Sequence, residues 1–309
     1  MCEHCGAHGA SVAFKLAVTG KGGVGKTTLS ALLAKALHKA GRQVLAIDAD
    51  PNSNLLACMG YPQPQSVRPL VELKGLIAER TGAEPGTIGG MFKINPRVED
   101  IPDKYAVDVD GVKVLVAGAV KQGGSGCYCP ENAFVRALVS HLLLDPKAAL
   151  ILDMEAGIEH LSRGTVEDVD CLLIVVEPSR RSIETAVRIH ALARDLGLQH
   201  IGVIGNKVRS DEDRSSLREA LPDLEFIGFM PFDEQLRQAE RDGRPAPGAS
   251  PQADALAAKI VRAIERTTHA HSHDEPHLHS HDEPHAHSPA DPHSHSHGDS
   301  HPHSHPHSH

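Results

Sequence analysis

The chain has 309 residues, a formal net charge of −9 at pH 7 and six cysteines. Six cysteines in a chain of this length do not indicate the disulfide framework of a small secreted domain. No run approaches the ~18 apolar residues of a membrane span, and the first residues lack the basic and apolar regions of a secretory signal. We therefore expect a cytoplasmic protein that binds neither a membrane nor nucleic acid.

Composition divides the chain into three parts. Residues 269–309 contain 16 of the 23 histidines and six acidic groups, but no lysine or arginine and almost no apolar side chains. Such a segment cannot bury enough surface to offset the entropy lost on ordering, so we expect it to be disordered. Residues 14–268 suit one sizeable domain with its own core, and residues 1–13 are expected to form a flexible segment containing Cys and His.

Apolar runs bounded by turn residues predict seven strands in the body of the chain. In chain order they are Phe14–Thr19, Val44–Asp48, Val112–Ala117, Ala149–Met154, Cys171–Glu177, Ile201–Asn206 and Phe226–Met230. The runs are continuously apolar rather than alternating, which indicates strands covered on both faces. We therefore predict an α/β fold with a largely parallel sheet and helices on both of its faces.

Segments with helical periodicity separate these strands. They are Thr27–Ala40, Glu131–Leu144, Ser182–Leu196 and Asp211–Leu221. A last helical stretch at 251–267 places its apolar residues on one face and mixed charges on the other, so we expect it to pack on the core. The Pro-rich Tyr61–Pro69 and the stretch Pro96–Tyr105 are expected to be surface connections.

A glycine-rich loop follows the first predicted strand and opens the first predicted helix. Its sequence, GKGGVGKTT at residues 20–28, matches G-x-x-x-x-G-K-[ST] in the strand–loop–helix context of a phosphate-binding loop. Backbone amides and the helix N-terminus favour phosphates there. Lys26 is expected to reach the β- and γ-phosphates, and the Thr27 hydroxyl to bind Mg²⁺. The other residues expected to contact the nucleotide are Gly22, Gly23, Val24, Gly25 and Thr28.

Two aspartates, Asp48 and Asp50, end the second predicted strand beside this loop. Ligands of parallel α/β sheets bind at the carboxyl ends of the strands. Carboxylates in this place can orient water or act as outer ligands of Mg²⁺. A helix or turn cap is the alternative role for Asp48.

The end of the sixth predicted strand bears on the choice of base. GTPases read guanine with N-K-x-D, whose aspartate accepts hydrogen bonds from the base. Here the strand ends in Asn206-Lys207-Val208-Arg209. An arginine cannot accept those hydrogen bonds, so ATP is favoured over GTP.

Two cysteines, Cys127 and Cys129, follow the third predicted strand in the stretch GSGCYCPEN. In extended backbone, residues two apart point the same way, so both thiols can face one partner. A tetrahedral metal site takes four ligands, and a symmetric dimer supplies the same pair from a second chain. We therefore expect a homodimer with a four-thiolate metal site, two incidental loop cysteines being the alternative. Cys58 and Cys171 are expected to be core residues.

The loop KGGVGKTT, with its additional lysine, resembles the deviant Walker A loop of the MinD/ParA/nitrogenase-iron-protein class of dimeric ATPases. The resemblance implies that Lys21 reaches the nucleotide held by the partner subunit, so that hydrolysis requires a dimer. It also implies that Asp50 positions the attacking water, with Asp48 near the metal.

The same resemblance implies further contacts with the nucleotide. Asp153 matches a carboxylate that binds Mg²⁺ through water, and Gly157 matches a residue that donates its N–H towards the γ-phosphate. Asn206, Pro231 and Phe232 match contacts to adenine.

Four segments narrow the resemblance: the phosphate loop, CYCPEN, DMEAGIEHLSRGT and VIGNKV. Together they are similar to the CooC-type nickel-insertion accessory ATPases of carbon monoxide dehydrogenase. This implies an ATP-controlled dimer that binds Ni²⁺, or Zn²⁺, through Cys127 and Cys129 and helps to load nickel into that dehydrogenase or another nickel enzyme. Glu155 stands where that family usually carries glycine, and we expect a carboxylate there to alter hydrolysis or closure.

Both flanks of the domain add candidate metal ligands. The H-x-H spacing of the tail offers many imidazoles to Ni²⁺, Zn²⁺ or Cu²⁺, and such sites should be labile and pH-dependent because protonated His cannot ligate. Cys2 and Cys5 form a C-x-x-C pair at the N-terminus. This start resembles that of hydrogenase nickel-insertion GTPases, although their next cysteine is missing, and an unused terminus is the alternative.

Two other functions of the same class remain as alternatives. An electron-transfer ATPase would hold a bridging iron–sulfur cluster between four thiolates, but that family uses two well-separated cysteines, and the segment GIEHLSRG lacks one. A partitioning or positioning ATPase would act on DNA or a membrane, and the last predicted helix lacks the basic face for it.

Overall fold

The computed structural model of the chain describes residues 13–85, 91–118, 129–141, 145–155 and 169–271. These all lie in the first of two compact units, Met1–His273, the second being Asp274–His309. Four predicted site residues, Cys2, Cys5, Cys127 and Gly157, lie outside the described residues, as do residues 272–309 of the histidine-rich segment.

Strands and helices alternate along the described chain. The strands are β1 Phe14–Gly20, β2 Gln43–Ala49, β3 Val107–Val109, β4 Val112–Val116, β5 Ala148–Met154, β6 Cys171–Val176, β7 Ile201–Val208 and β8 Glu225–Pro231. The helices are α1 Lys26–Lys39, α2 Leu55–Met59, α3 Lys74–Thr81, α4 Ile101–Tyr105, α5 Pro130–His141, α6 Arg180–Asp195, α7 Asp211–Ala220, α8 Glu234–Arg241 and α9 Pro251–His271. All the predicted strands and helices are confirmed, with shifts of a few residues at their ends.

The strands form one sheet in the order β3-β4-β2-β5-β1-β6-β7-β8. Neighbouring strands are parallel except β3 and β4, which pair antiparallel at one edge. From β1 the chain first adds β2 and β4 on one side of the sheet, and β5 then returns to lie between β1 and β2. The chain next crosses β1 and adds β6, β7 and β8 on the other side. The carboxyl end of β1 is therefore the switch point at which sheets of this kind bind their ligands.

Apolar residues cover both faces of the sheet. In β2, Leu45 and Ile47 belong to one buried cluster and Val44 and Ala46 to another, because successive side chains of a strand point to opposite faces. The first cluster includes residues of α3, α5, α6 and α7, and the second includes residues of α1, α2 and α9. The predicted parallel sheet with two helical layers is thus confirmed.

The last helix, α9, packs against α1, as its amphipathic pattern predicts. Ile260, Val261 and Ile264 are buried. The buried Arg42, which precedes β2, fixes this helix because its Nε donates to Glu265 Oε1 at 3.1 Å. α9 runs past the domain boundary expected at residue 268. No helix within the described ranges combines the length and apolar character needed to cross a lipid bilayer.

The prediction that Pro96–Tyr105 is a surface connection is wrong. Its second half forms α4, and Val98 and Ile101 are fully buried in the first core cluster. Arg80 of α3 fixes the segment, since its Nη1 and Nη2 donate to the two carboxylate oxygens of Asp100 at 2.9 and 2.8 Å. The apolar residues Val98 and Ile101, of which the second begins α4, were a signal of burial that the loop assignment overlooked.

Candidate functional site

The phosphate loop lies at the carboxyl end of β1, where two glycines meet neighbouring strands. A Cβ at Gly20, whose φ is +147°, would lie 2.4 Å from Val175 O of β6. A Cβ at Gly25, whose φ is +96°, would lie 2.5 Å from Asn206 Nδ2 of β7. Both positions therefore require glycine, because neither the backbone conformation nor the space accepts a side chain.

Helix α1 begins directly after this loop without a side-chain cap. Gly25 is its N-cap residue and has no side chain to accept a hydrogen bond from the first amides, and the first turn contains no acidic residue. The first amides of a helix have no partner within the helix and carry a partial positive charge. The start of α1 is thus suited to bind an anion such as a phosphate.

Side chains of β7 fix the phosphate loop from the other side. Asn206 Nδ2 donates to Val24 O at 2.7 Å, and Lys207 Nζ donates to Gly23 O at 2.6 Å. Lys207 has a φ of +56°, a left-handed conformation that is uncommon outside glycine. Two successive loop carbonyls are therefore held by two successive residues of β7, which pre-organises the loop.

Lys26 lies at the first position of α1 and is buried among acidic groups. Its Nζ is 3.4 Å from Lys21 O. Burial lowers the pKa of Lys26, whereas the charges of Asp153, Asp50 and Glu155 raise it. Lys26 thus lies near Lys21, Asp50 and Asp153, and also near Glu155, the carboxylate that the sequence singled out as a departure from the family pattern.

Asp153, at the end of β5, has one engaged and one unengaged carboxylate oxygen. Oδ1 accepts a hydrogen bond from Ser30 Oγ at 3.0 Å, whereas Oδ2 is buried without a partner among the described residues. Burial raises the pKa of Asp153 to about 7, and the charge of Asp48 adds to this, while hydrogen bonds from Thr27 and Ser30 lower it. Such an unengaged oxygen is suited to a cation.

Asp48, at the end of β2, is buried and acts as a turn cap. Its Oδ1 accepts from the Asp50 amide at 3.1 Å, and its Oδ2 accepts from the Leu55 amide at the start of α2 at 2.9 Å. Burial raises its pKa to about 6, although these amide bonds lower it. Both oxygens hold the turn that carries Asp50, as in the capping role considered from the sequence. Asp50 itself is half-buried, and its Oδ1 accepts from the Asn52 amide at 2.8 Å.

Lys21 forms an ion pair that the sequence motifs did not indicate. Its Nζ lies 3.7 Å from Oε1 of Glu177, the residue that follows β6. Glu177 Oε2 lies 3.4 Å from Lys207 Nζ. The sequence offered one signal for this ion pair, namely that Glu177 stands at the carboxyl end of a buried strand. In this fold such a position places a side chain beside the phosphate loop.

The predicted base contacts lie next to a stacked arginine. The Arg209 guanidinium lies 3.8 Å from the centroid of the Phe232 ring, and the Phe232 amide donates to Val208 O at 2.9 Å. Pro231, Phe232 and Asn206 are half-buried. The residue that departs from the guanine-reading motif therefore packs on one of the residues expected to contact adenine.

Of the predicted metal-binding cysteines, the structure describes Cys129. It is half-buried, and its carbonyl accepts a hydrogen bond from the Ala133 amide at 3.1 Å, so it stands at the start of α5. Cys171 is buried and Cys58 packs on the second core cluster, as expected. Burial raises the pKa of each of these two thiols to about 12. Within the described parts of the chain, no three His, Cys, Asp or Glu side chains gather as a metal site.

Comparison with known families identifies the domain that carries this site. The family model described as the CobQ/CobB/MinD/ParA nucleotide binding domain matches residues 15–246. That range runs from the second residue of β1 past the end of α8.

The chain aligns with two relatives over nearly the whole length of each relative. The chain is 45% identical over 259 residues to the carbon monoxide dehydrogenase accessory protein CooC of Rhodospirillum rubrum, which covers 82% of this chain and 98% of the relative. It is 43% identical over 253 residues to an uncharacterised ATP-binding protein of Methanocaldococcus jannaschii, covering 81% and 95%.

Solved structures with the same fold include two archaeal cell-division proteins. The MinD ATPase of Pyrococcus furiosus superposes with a TM-score of 0.59 at 24% identity, covering 82% of this chain and 99% of that one. The septum site-determining protein MinD of Pyrococcus horikoshii, in complex with Mg-ADP, gives 0.59 at 20% identity, covering 84% and 98%. At these identities the likeness shows the fold.

Proposed function

The chain belongs to the CobQ/CobB/MinD/ParA nucleotide-binding domain family and is an ATPase, and from this membership we propose that it is an ATP-dependent nickel metallochaperone. The observation that carries the proposal is the 45% identity over 98% of the length of a carbon monoxide dehydrogenase accessory protein. The proposed client is therefore carbon monoxide dehydrogenase, or another nickel enzyme with the same need.

The residues at the end of β1 fit MgATP. Gly20 and Gly25 allow the loop backbone to approach a phosphate closely, and the first amides of α1 have no acceptor within the helix. Asp153 Oδ2 has no partner among the described residues, and Thr27 hydrogen-bonds the same carboxylate. Thr27 and Asp153 are thus the residues proposed to hold Mg²⁺, directly and through water. When bound, Mg²⁺ neutralises phosphate charge and orients the β- and γ-oxygens.

The remaining catalytic residues are assigned by position. Lys26 pairs with the β- and γ-phosphates; burial lowers the pKa of its ammonium group, and the charges of the surrounding carboxylates oppose that shift. Asp50 orients the attacking water, and Asp48 fixes the turn on which Asp50 stands. Gly157, outside the described residues, is proposed to donate its amide to the γ-phosphate.

The base is proposed to lie beside Asn206, Pro231 and Phe232. The Nδ2 of Asn206 holds the phosphate loop, which leaves its Oδ1 to accept from the amino group of adenine. Arg209, stacked on Phe232, presents donors where guanine needs an acceptor. ATP is therefore the proposed nucleotide.

We expect the ATP-bound state to be a homodimer. In that state Lys21 would leave its own protomer and reach the nucleotide of the partner, where a cation neutralises charge that develops during phosphoryl transfer. Hydrolysis would then depend on protein concentration, because a lone protomer lacks this charge.

The cargo is proposed to bind between the two protomers, at Cys127 and Cys129 of each. Cys129 stands at the start of α5, and the positive end of a helix favours a thiolate. Four thiolates form a tetrahedral site that accepts Ni²⁺ or Zn²⁺. Cys2 and Cys5, together with the histidine-rich segment, are proposed as additional and more labile ligands.

The bound nucleotide can control metal binding if the closed and open dimers differ in their affinity for the metal ion. ATP would favour the closed dimer with four thiolates, and hydrolysis would open the dimer and release the ion to the client. Equilibrium dialysis of Ni²⁺ with and without a non-hydrolysable ATP analogue measures this coupling. Equal affinities in the two conditions would refute it.

The metal site is tested with chains that end at Thr268 and carry Cys2→Ala and Cys5→Ala, so that ions bound by residues 269–309 or by the N-terminal pair do not mask it. We expect about one Ni²⁺ per dimer in the parent and loss of this ion when Cys127 and Cys129 are both replaced by alanine. Cys171→Ala is the matched control, since that cysteine is buried in the core. Retention of the ion in the double variant would contradict the proposed site.

A further inference from the structure

Lys21 does not extend freely from its loop but is paired within its own protomer. Its Nζ lies 3.7 Å from Glu177 Oε1, and the two side chains are 34% and 21% exposed. Glu177 directly follows β6, which pairs with β1 along its length. The ion pair thus joins the phosphate loop to the end of the adjacent strand.

Other contacts hold Glu177 in this place. Ser179 Oγ donates to Glu177 Oε1 at 3.2 Å, and the Glu177 amide donates to Ser182 Oγ at 3.1 Å. The second carboxylate oxygen lies 3.4 Å from Lys207 Nζ. Because none of these contacts involves Lys21, the carboxylate keeps its position when that lysine moves.

We propose that Glu177 is a positioning residue that holds Lys21 on its own protomer and opposes ATP-dependent pairing of two chains. The inference rests on the proposed function, in which Lys21 reaches the nucleotide of the partner. One ammonium group cannot keep its ion pair with Glu177 while it crosses to another subunit. Breaking that pair is therefore part of the cost of closing the dimer.

The size of the effect follows from the exposure of the pair. Partly exposed ion pairs are weakened by solvent and salt, and removal of this one should tighten the dimer about two- to fivefold. The effect should shrink as salt is raised, because screening weakens the pair in the lone protomer.

A purely structural role makes a different prediction. Glu177 also contacts Lys207, which holds the Gly23 carbonyl of the phosphate loop. If that were its whole role, loss of the carboxylate would loosen the loop. A lone protomer would then bind nucleotide more weakly, and the dimer would not become tighter.

The test uses the full-length chain with Mg²⁺ and a non-hydrolysable ATP analogue, in buffer free of transition metals. The dimer dissociation constant of the parent and of Glu177→Gln is measured by sedimentation. Binding of a fluorescent ATP analogue is measured at concentrations where both are monomeric. Glu184→Gln is the matched control, since Glu184 lies nearby on α6 and pairs with Arg180 at 2.8 Å on the surface.

We expect Glu177→Gln to pair about two- to fivefold more tightly while nucleotide binding by the lone protomer is unchanged and Glu184→Gln behaves as the parent. The protein concentration for half-maximal ATPase rate should fall by the same factor. An unchanged or weaker dimer, or weaker nucleotide binding by the monomer, overturns the role of Glu177. A parent that never pairs overturns the dimeric function, and this inference with it.

Discussion

Asp48 and Asp153 lie directly opposite each other in the register of β2 and β5, yet their carboxylates are engaged differently. Both oxygens of Asp48 accept backbone amides, whereas Asp153 Oδ2 has no partner among the described residues. Burial raises the pKa of both groups, and the charge of Asp48 raises that of Asp153 further. Asp48 therefore serves to cap backbone amides, whereas Asp153 has an oxygen that can bind a ligand.

The first prediction concerns the pH dependence of stability without Mg²⁺ and nucleotide. The pKa of Asp153 is raised to about 7 in the folded chain, so the native state binds more protons than the unfolded chain between about pH 4 and pH 7. This group's contribution to stability is therefore present at low pH and lost as pH rises. Asp153→Asn should therefore stabilise the chain by roughly 2–3 kcal/mol more at pH 8 than at pH 5.

Urea unfolding of the parent and of Asp153→Asn at both pH values measures this difference. The effects of the many histidines cancel in the comparison because both chains carry them. Asp223→Asn is the control, as Asp223 is exposed. An equal effect of Asp153→Asn at pH 5 and pH 8 would contradict the raised pKa.

The second prediction concerns the hold of β7 on the phosphate loop. Asn206→Ala removes the donor to Val24 O. Loss of one such hydrogen bond should weaken binding of ATP by about 2- to 10-fold without altering the fold. Gln199→Ala is the control, because its amide also donates to a carbonyl, that of Gly197, but far from the loop in sequence. Titration with a fluorescent ATP analogue gives both affinities, and equal affinities would refute this role.

The third prediction concerns the base. Arg209→Asp restores the guanine-reading pattern N-K-x-D and removes the guanidinium stacked on Phe232. We expect the preference for ATP over GTP to fall at least about tenfold, because the new carboxylate accepts from guanine. Arg218→Asp is the control, since Arg218 stacks on a different ring, Phe229, at 5.0 Å. Competition of ATP and GTP for the site measures the ratio, and an unchanged ratio would contradict this reading of the base pocket.

The fourth prediction concerns the attachment of α9. Arg42 is buried, and its Nη2 lies 3.0 Å from Glu265 Oε1. A double-mutant cycle with Arg42→Ala and Glu265→Gln should give a coupling energy of about 1–2 kcal/mol in urea unfolding. The exposed pair Arg244–Asp242 should give less than about 0.5 kcal/mol. Equal coupling energies in the two cycles would mean that burial does not strengthen the Arg42–Glu265 ion pair.

The buried parts of the fold were predictable because their signal is local. β6 is a continuous apolar run and β5 is apolar apart from Asp153, and both are buried along their whole length, so no competing pattern obscured them. β3 was missed, since three residues are too few to show a period. Its signal was the turn Asp110-Gly111 between two apolar stretches, where both residues have positive φ.

The site could be predicted from the sequence only where its residues belong to a local motif. Gly20 to Thr28 act locally, and their pattern indicated their place at the end of β1. The contact between Asn206 and Val24 joins residues 182 positions apart, and that between Lys21 and Glu177 depends on which strand neighbours β1. Such contacts follow from the strand order, which periodicity does not encode.

The anchors of α9 have a practical consequence for removing the histidine-rich segment without disturbing the nucleotide-binding body. Ile264 and Glu265 precede the last residue of the helix, His271, by more than one turn. Fourteen histidines follow that residue. A stop codon placed after His271 should therefore delete them in one step and leave the nucleotide-binding body as stable as before.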